Sequence, residues 1–332
     1  MRLDLPARLA AIVGILAIVA VASMPWWAER ATIYLAVEVL AMLALAQMWN
    51  LLAGYGGLLS VGQQGFVGLG AYALVVFGLQ MGLNAFLVIP LAGIVGALAA
   101  LLVAPLVFRL SGAHFAIGTW VVAEVFRLVV ANLPFVSGGS GVSVAKTVMG
   151  MGMDTRISLT LWWALALGAG ATLAVYLLLR SRWGLALVAV RDSERASRSL
   201  GVRVGRIKWA VWVGAAAGCA MTGALLFITK LRVAPDPAFS IDWTTTMFFI
   251  VVIGGIGTLE GPIIGTIAYF LLREWLSDMG SVYLITLGVI TMLVMLFFDK
   301  GLWGLVARRT GWQLFPLQRR MGLPAREEAG GA

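Results

Sequence analysis

Three ionisable side chains stand inside otherwise apolar segments of the chain. Glu38 lies in one such segment, and Glu124 and Arg127 lie three residues apart in another. Residues at that spacing share one face of a helix, and a charge inside a membrane normally faces a partner or a watery cavity. We expect these three residues to line a path or an interface, or else to form structural ion pairs near helix ends.

A stretch free of charge, GYGGLLSVGQQGFVGLGAYA, runs from Gly54 to Ala73. Its Gly57 and Gly62 have the glycine spacing of a phosphate-binding loop, but Gln63 and Gln64 follow where that motif requires Lys and then Ser or Thr. A bound phosphate would lack its charge partner. We therefore expect no ATP hydrolysis and no bound cofactor in this chain.

Glycines permit close packing and a break in a helix, and non-helical backbone at membrane depth must be buried in protein or line a cavity. Ser60, Gln63 and Gln64 are then candidates for a polar translocation path, together with Asn50 just before the stretch. Gly57 and Gly62 join them as path or gate candidates. The alternative is a Gly-rich packing face with its glutamines at a helix interface.

A third pattern is the basic segment 180–208, RSRWGLALVAVRDSERASRSLGVRVGRIK. Its spacing predicts short amphipathic helices that end at Gly184 and Gly201, with Glu194 and Arg198 as an i,i+4 pair. Mixed charge and small apolar faces favour docking to a soluble protein over binding to anionic lipid. The residues expected to carry the docking are Gly184, Arg191, Asp192, Glu194, Ala196, Leu200 and Gly201.

The elements that position these residues are expected to be membrane-spanning helices. The chain has 332 residues, 61% of them hydrophobic and 12% charged, against about 25% charged in soluble proteins. Residues 39–108 carry no charge, a length sufficient for two or three spans. The predicted class is an all-α polytopic integral membrane protein. One Cys and one His give no metal site.

About ten transmembrane helices are predicted, with Gly-rich segments that break or re-enter the bilayer. Because basic residues favour the cytoplasmic side, the 180–208 segment and both termini are placed there. This orientation accounts for the net charge of +9 without nucleic acid. We divide the chain into a transmembrane domain, 1–300, and a basic cytoplasmic tail, 301–332. The predicted helices are 8–25, 31–51, 65–82, 85–108, 113–132, 157–179, 209–229, 243–257, 262–277 and 281–298.

Four stretches together resemble one known family. WGLALVAVRDSERASRSLGV (183–202) resembles the segment of bacterial ABC-importer permeases that couples them to their ATPases, most closely that of the M-type permeases of branched-chain amino acid importers. The Gly-rich stretch, HFAIGTWVVAEVFRLVVAN (114–132) and VVIGGIGTLEGPIIG (251–265) are similar to other parts of that family. The last adds Gly254 and Gly255 to the path candidates.

The resemblance covers roughly residues 33–300 and implies a set of partners. These are a second homologous permease, two cytoplasmic ATPase subunits that bind ATP and Mg, and a periplasmic or extracellular substrate-binding protein. It implies multi-pass insertion in the bacterial cytoplasmic (inner) membrane. Gln63, where the family often has His, and Leu185, where it has Arg, are departures that leave the substrate open among branched-chain amino acids, other amino acids, urea and amides.

A second class of function remains open on the residues alone. A secondary transporter driven by H⁺ or Na⁺ would use Glu38 or Glu124 as its coupling carboxylate. Such a transporter has no need of an ATPase-docking segment, so residues 180–208 discriminate between the two. A membrane enzyme is disfavoured, because the sequence has no carboxylate dyad, metal cluster or nucleophile with a base.

Overall fold

The protein was analysed as a computed structural model, which describes residues 5–136, 138–276, 282–297, 301–310 and 315. Among these residues the regular structure is helical apart from one two-stranded antiparallel ribbon that pairs Val142 with Val233. The elements are α1 (Leu5–Ser23), α2 (Arg30–Asn50), α3 (Gln63–Ala73), α4 (Ala85–Val107), α5 (Ala113–Asn132), β1 (Val142–Ser143), α6 (Met153–Arg180), α7 (Arg182–Asp192), α8 (Glu194–Ser199), α9 (Val204–Lys230), β2 (Arg232–Val233), α10 (Pro235–Ala238), α11 (Asp242–Gly254), α12 (Gly261–Leu276), α13 (Val282–Phe297) and α14 (Gly301–Thr310).

Each of the ten predicted segments contains a helix, with the largest difference in start at α9, which begins at Val204 and not at 209. In the described part of the chain, six helical stretches are long and apolar enough to cross a membrane. The multi-pass class is therefore confirmed. The number of spans and the side on which the termini lie stay predictions.

The centre of the bundle is α9, which packs against α2, α3, α4 and α6. Its contact with α3 requires small residues, because a Cβ on Gly70 would lie 1.9 Å from the carbonyl oxygen of Ala220. A Cβ on Gly223 would likewise lie 2.2 Å from the carbonyl oxygen of Val67. Close approach of helix backbones through small residues is typical of membrane helix packing.

Two helix breaks interrupt the bundle. The first break, residues 56–62, follows a π-helical turn, Leu51–Tyr55, that extends α2. The second break, residues 255–260, joins α11 to α12 and contains two glycines at positive φ, Gly255 at 130° and Gly257 at 75°. The expected break in the Gly-rich stretch is thus observed, and α3 resumes at Gln63.

The 180–208 segment folds as α7 and α8, and its serines begin both helices. Ser181 Oγ accepts a hydrogen bond from the backbone nitrogen of Trp183 at 3.1 Å, and Ser193 Oγ accepts one from that of Ala196 at 3.3 Å. Such side-chain caps satisfy backbone donors that a helix start leaves unpaired. Gly201 follows α8 with a φ of 81°, as expected for a glycine that ends a helix.

The prediction that Gly184 ends a helix is wrong. Gly184 is the third residue of α7 and is buried against the end of α6. A Cβ there would lie 2.4 Å from the Cα of Leu179. The glycine therefore allows α7 to turn back tightly against α6.

The described part of the tail packs on the bundle. Helix α14 contacts α11 and α12, and the Trp303 side chain is buried. Gly301 approaches the second break so closely that a Cβ would lie 2.6 Å from the backbone nitrogen of Gly255.

Candidate functional site

The C-terminal end of α2 holds the second break. Asn50, which is fully buried, donates from Nδ2 to the carbonyl oxygen of Thr258 at 2.8 Å and accepts at Oδ1 from the backbone nitrogen of Gly257 at 2.9 Å. One helical turn earlier, Gln47 donates from Nε2 to the carbonyl oxygen of Leu259 at 3.1 Å. Three polar groups of a non-helical backbone are thereby satisfied inside the bundle.

The same end of α2 also holds the first break. Trp49 donates from Nε1 to the carbonyl oxygen of Ser60 at 2.9 Å. From α5, Thr119 Oγ1 accepts a hydrogen bond from the backbone nitrogen of Val61 at 3.1 Å. Gly62 packs so closely on α5 that a Cβ would lie 2.0 Å from the carbonyl oxygen of Thr119.

The two glutamines of the Gly-rich stretch are buried, with exposures of 0% for Gln63 and 2% for Gln64. Gln63 donates from Nε2 to Ser60 Oγ at 3.1 Å and accepts at Oε1 from Cys219 Sγ of α9 at 3.4 Å. Gln64 binds Thr244 of α11 through both its backbone nitrogen and its Oε1. In this conformation the glutamines hold α3 to α9 and α11, and their place in a translocation path stays a prediction.

Arg191 connects the 180–208 segment to the first break. Its Nη1 donates to the carbonyl oxygen of Gly54 at 2.8 Å, while its Nη2 contacts Asp192 at 3.1 Å. Gly57, at a φ of 65°, lies directly beside the Arg191 side chain, where a Cβ would be 3.2 Å from Cγ. A Cβ on Gly257 of the second break would lie 3.4 Å from Nη1. The Arg191 side chain therefore lies beside both breaks and hydrogen-bonds the turn that leads into the first.

Glu194 fixes the position of α8. Its carboxylate forms an ion pair with Lys208 at the start of α9 and a longer one of 3.7 Å with Arg198. The predicted pair of Glu194 and Arg198 is thus present, although Lys208 is the closer partner. Leu200 projects into solvent and is 81% exposed, and Ala196 is exposed beside it.

A groove of about 270 Å³ lies between α7 and the start of α9. Its walls combine aliphatic and indole surface with three guanidinium-bearing residues. The lining residues are Arg182, Trp183, Ala186, Val202, Arg203, Arg206 and Ile207.

The charges inside the predicted spans are paired. Arg127 donates to Glu124 from Nε at 2.9 Å and from Nη1 to Asp236 of α10 at 2.7 Å. Glu38 accepts from Nη1 of Arg273 in α12 at 2.6 Å. Neither pair is hydrogen-bonded to a break, so the structure divides the predicted path residues among three places.

Several residues of this arrangement were not singled out by the sequence. Trp49, Thr119 and Thr244 are ordinary residue types in membrane helices, and nothing in their spacing marks them. Arg273 could have been found, because a charge within the predicted 262–277 helix requires a partner.

Comparison with known proteins gives the family. Residues 29–298 match the model of the family described as the permease component of branched-chain amino acid transport systems. The chain belongs to this family. The match covers α2 to α13 and therefore both breaks, the 180–208 segment and all three places where path candidates lie.

This permease is similar to two curated proteins named high-affinity branched-chain amino acid transport system permease protein LivM. It is 28% identical to that of Escherichia coli (strain K12) over 84% of this chain and 71% of the relative. It is also 28% identical to that of Salmonella typhimurium over 86% of this chain and 73% of the relative. No solved structure matches.

Proposed function

We propose that the chain is the membrane subunit of an ATP-driven ABC importer for branched-chain or other amino acids in the bacterial cytoplasmic membrane. Membership of the permease family and the names of the two relatives support the substrate class. The observation that carries the proposal is the bond between Arg191 and Gly54, because it joins an exposed segment to the interior of the bundle.

The proposed partners are those that membership of the family implies, and the 180–208 segment offers a surface for the ATPases. Two cytoplasmic ATPases, which bind the ATP and Mg, would each dock a permease through this segment. The groove with its three arginines suits an acidic surface that offers an apolar side chain. A second homologous permease would complete the membrane core, and a periplasmic or extracellular binding protein would deliver the substrate at the opposite end.

The proposed mechanism is a lever. When the ATPases close on ATP, they displace α7 and α8 together, because only Ser193 separates the two helices, and the ion pair of Glu194 with Lys208 carries the start of α9 with them. Arg191 transmits the displacement to the carbonyl of Gly54, in the π-helical turn beside the first break. Asn50 passes it on to the second break. The two breaks then rearrange between outward- and inward-facing states, as interfaces with two discrete packings do.

Uptake of radiolabelled L-leucine into proteoliposomes tests the proposal. The complete complex should take up leucine only with ATP, and the permease pair without ATPases should not. ATP-independent, gradient-driven uptake would overturn the proposal in favour of a secondary transporter.

A docking assay tests the role of the segment. Leu200→Asp should reduce co-purification of the ATPases at least about tenfold, because a carboxylate would replace an exposed apolar contact. Met149→Asp is the matched control, since Met149 is 76% exposed in the loop before α6, at the other end of that helix. Equal ATPase recovery from both variants would remove the docking role.

A further inference from the structure

A cavity of about 260 Å³ opens between α2, α9 and α11. It lies at the end of the bundle opposite the 180–208 segment, because it includes Lys230, the last residue of α9, whereas α9 begins within that segment at Val204. Its volume is below the roughly 300–1,000 Å³ of sites for drug-sized ligands. It therefore suits a molecule the size of one amino acid.

One wall of the cavity carries charges of both signs. The Glu38 carboxylate accepts a hydrogen bond at Oε1 from Arg273, which uses one of the about four lone-pair positions of a carboxylate. Lys230 contributes an ammonium group, 4.6 Å from the ring centre of Trp243 and 5.3 Å from that of Phe227.

The two opposite charges of the cavity attract each other but are not in direct contact. No ion pair joins Glu38 to Lys230, and within the described part of the chain Lys230 has no hydrogen-bonded partner. An ammonium group that faces aromatic rings retains all three of its N–H donors for a ligand.

The other wall is apolar. Val37, Met42 and Leu226 are each at most 5% exposed, and the indole of Trp243 is 9% exposed. The Trp243 ring is held in place, because its Nε1 donates to the carbonyl oxygen of Pro237 at 2.9 Å. This surface matches an aliphatic side chain.

We propose that this cavity binds a free α-amino acid as its zwitterion during transport. Glu38 accepts from the α-ammonium group, Lys230 donates to the α-carboxylate, and the apolar wall takes the side chain. An inorganic anion would have no use for Glu38, and a cation would be repelled by Lys230 and Arg273. The inference rests on the proposed function, since it locates a contact for that substrate within this chain.

Binding of radiolabelled L-leucine to the full-length chain in nanodiscs tests the proposal. The competitors are leucinamide, which lacks the carboxylate, and 4-methylvalerate, which lacks the ammonium group. We expect L-leucine to compete at least about tenfold better than either, because each missing charge leaves a hydrogen-bonding group of the protein unpaired.

Two variants assign the two ends of the ligand. Lys230→Met should bring leucine and leucinamide to within about twofold of each other while the preference over 4-methylvalerate remains. Glu38→Gln should bring leucine and 4-methylvalerate to within about twofold of each other while the preference over leucinamide remains. Lys146→Met and Asp154→Asn, at exposed positions of the same end of the bundle, are matched controls that should preserve both preferences.

A structural role for Glu38 would lower all affinities together and leave both preferences intact. That result in both variants, or the absence of saturable leucine binding, would overturn the inference. Should Glu38→Gln fail to fold without its full contact to Arg273, Lys230→Met decides alone, because Lys230 is exposed.

Uptake by the complete transporter separates this inference from the proposed function. If deletion of the chain abolishes leucine uptake but both variants keep the analogue preferences, the cavity is not the amino acid site and the proposed importer function stands. Leucine uptake that persists after deletion of the chain would contradict the proposed function itself.

Discussion

Arg191 in α7 donates a hydrogen bond from Nη1 to the backbone carbonyl oxygen of Gly54 across 2.8 Å. The two residues are 137 positions apart in the sequence. Gly54 lies in the π-helical turn that ends α2, where backbone carbonyls need partners outside the helix. The guanidinium supplies that partner and so makes the end of α2 sensitive to the position of α7.

Replacing Arg191 should uncouple the transporter. Arg191→Ala removes a hydrogen bond from a charged donor, which contributes about 1.5–3 kcal/mol, and frees the first break from α7. We expect leucine uptake to fall at least about tenfold while the complex still hydrolyses ATP. Uptake and ATPase rates in proteoliposomes measure both. Arg195→Ala, an exposed arginine of α8, should leave both rates unchanged, and equal uptake in the two variants would contradict the lever.

Asn50 should be essential to the stability of the second break. Asn50→Leu leaves the backbone N–H of Gly257 and the carbonyl of Thr258 buried without partners, at about 1–3 kcal/mol each. Thermal unfolding in detergent should shift to lower temperature. Asn50→Asp keeps the acceptor for Gly257, so its unfolding temperature should lie between those of the wild type and Asn50→Leu. Asn132→Leu is the control, because Asn132 is exposed and donates a hydrogen bond to the carbonyl oxygen of Leu128 in its own helix. An equally large fall in unfolding temperature in this control would refute a specific role for Asn50.

Gly62 should tolerate no side chain. The methyl group of Gly62→Ala would lie 2.0 Å from the carbonyl oxygen of Thr119. This distance is too short, so α3 and α5 must move apart. Gly62→Leu should abolish assembly or transport. Gly170→Ala in α6, where nothing lies within 4 Å, should be neutral or stabilising by about 0.5–1 kcal/mol. Size-exclusion profiles and uptake report both effects, and normal assembly of the Leu variant would place Gly62 on an open surface.

Reversing the charge of Glu194 should disorder α8. Glu194→Arg puts a third cation beside Arg198 and Lys208, and the ion pairs that orient α8 become repulsive. We expect the ATPases to be lost from the purified complex while the permease stays in the membrane. Glu194→Gln keeps hydrogen bonding without charge and should retain part of the binding. Full ATPase binding by Glu194→Arg would separate α8 from the docking surface.

Bulk at Gly201 should have a local effect on the same segment. Its φ of 81° is strained for any side chain, so Gly201→Leu should distort the exit from α8 and reduce transport. Gly205→Leu, at a helical position with open space around it, is the control. Equal transport by both variants would contradict the requirement for a glycine turn after α8.

The local features of this protein follow from its sequence. Apolar length set by the bilayer fixes the helices to within a few residues, and the serines and glycines of the 180–208 segment fix the ends of α8. Glu124 and Arg127 are paired as their spacing predicts, because helical geometry brings residues three apart together. Gly184 misleads, since a glycine that ends a helix and one that permits a close contact look alike in sequence.

Which distant residues meet was decided by the tertiary structure. Glu38 meets Arg273 across 235 positions, Gln64 meets Thr244 across 180, and Arg191 reaches Gly54 across 137. Spacing along a helix determines neighbours within a turn, whereas these contacts depend on how separate helices pack and where they break. The sequence by itself therefore determined a polytopic membrane protein with a break in its Gly-rich stretch and a basic segment of short helices, and the docking role of that segment stays a prediction. The fold alone decided that the glutamines are held in the core, and that one arginine joins the segment to the turn before the first break, because burial of polar groups demands partners wherever packing places them.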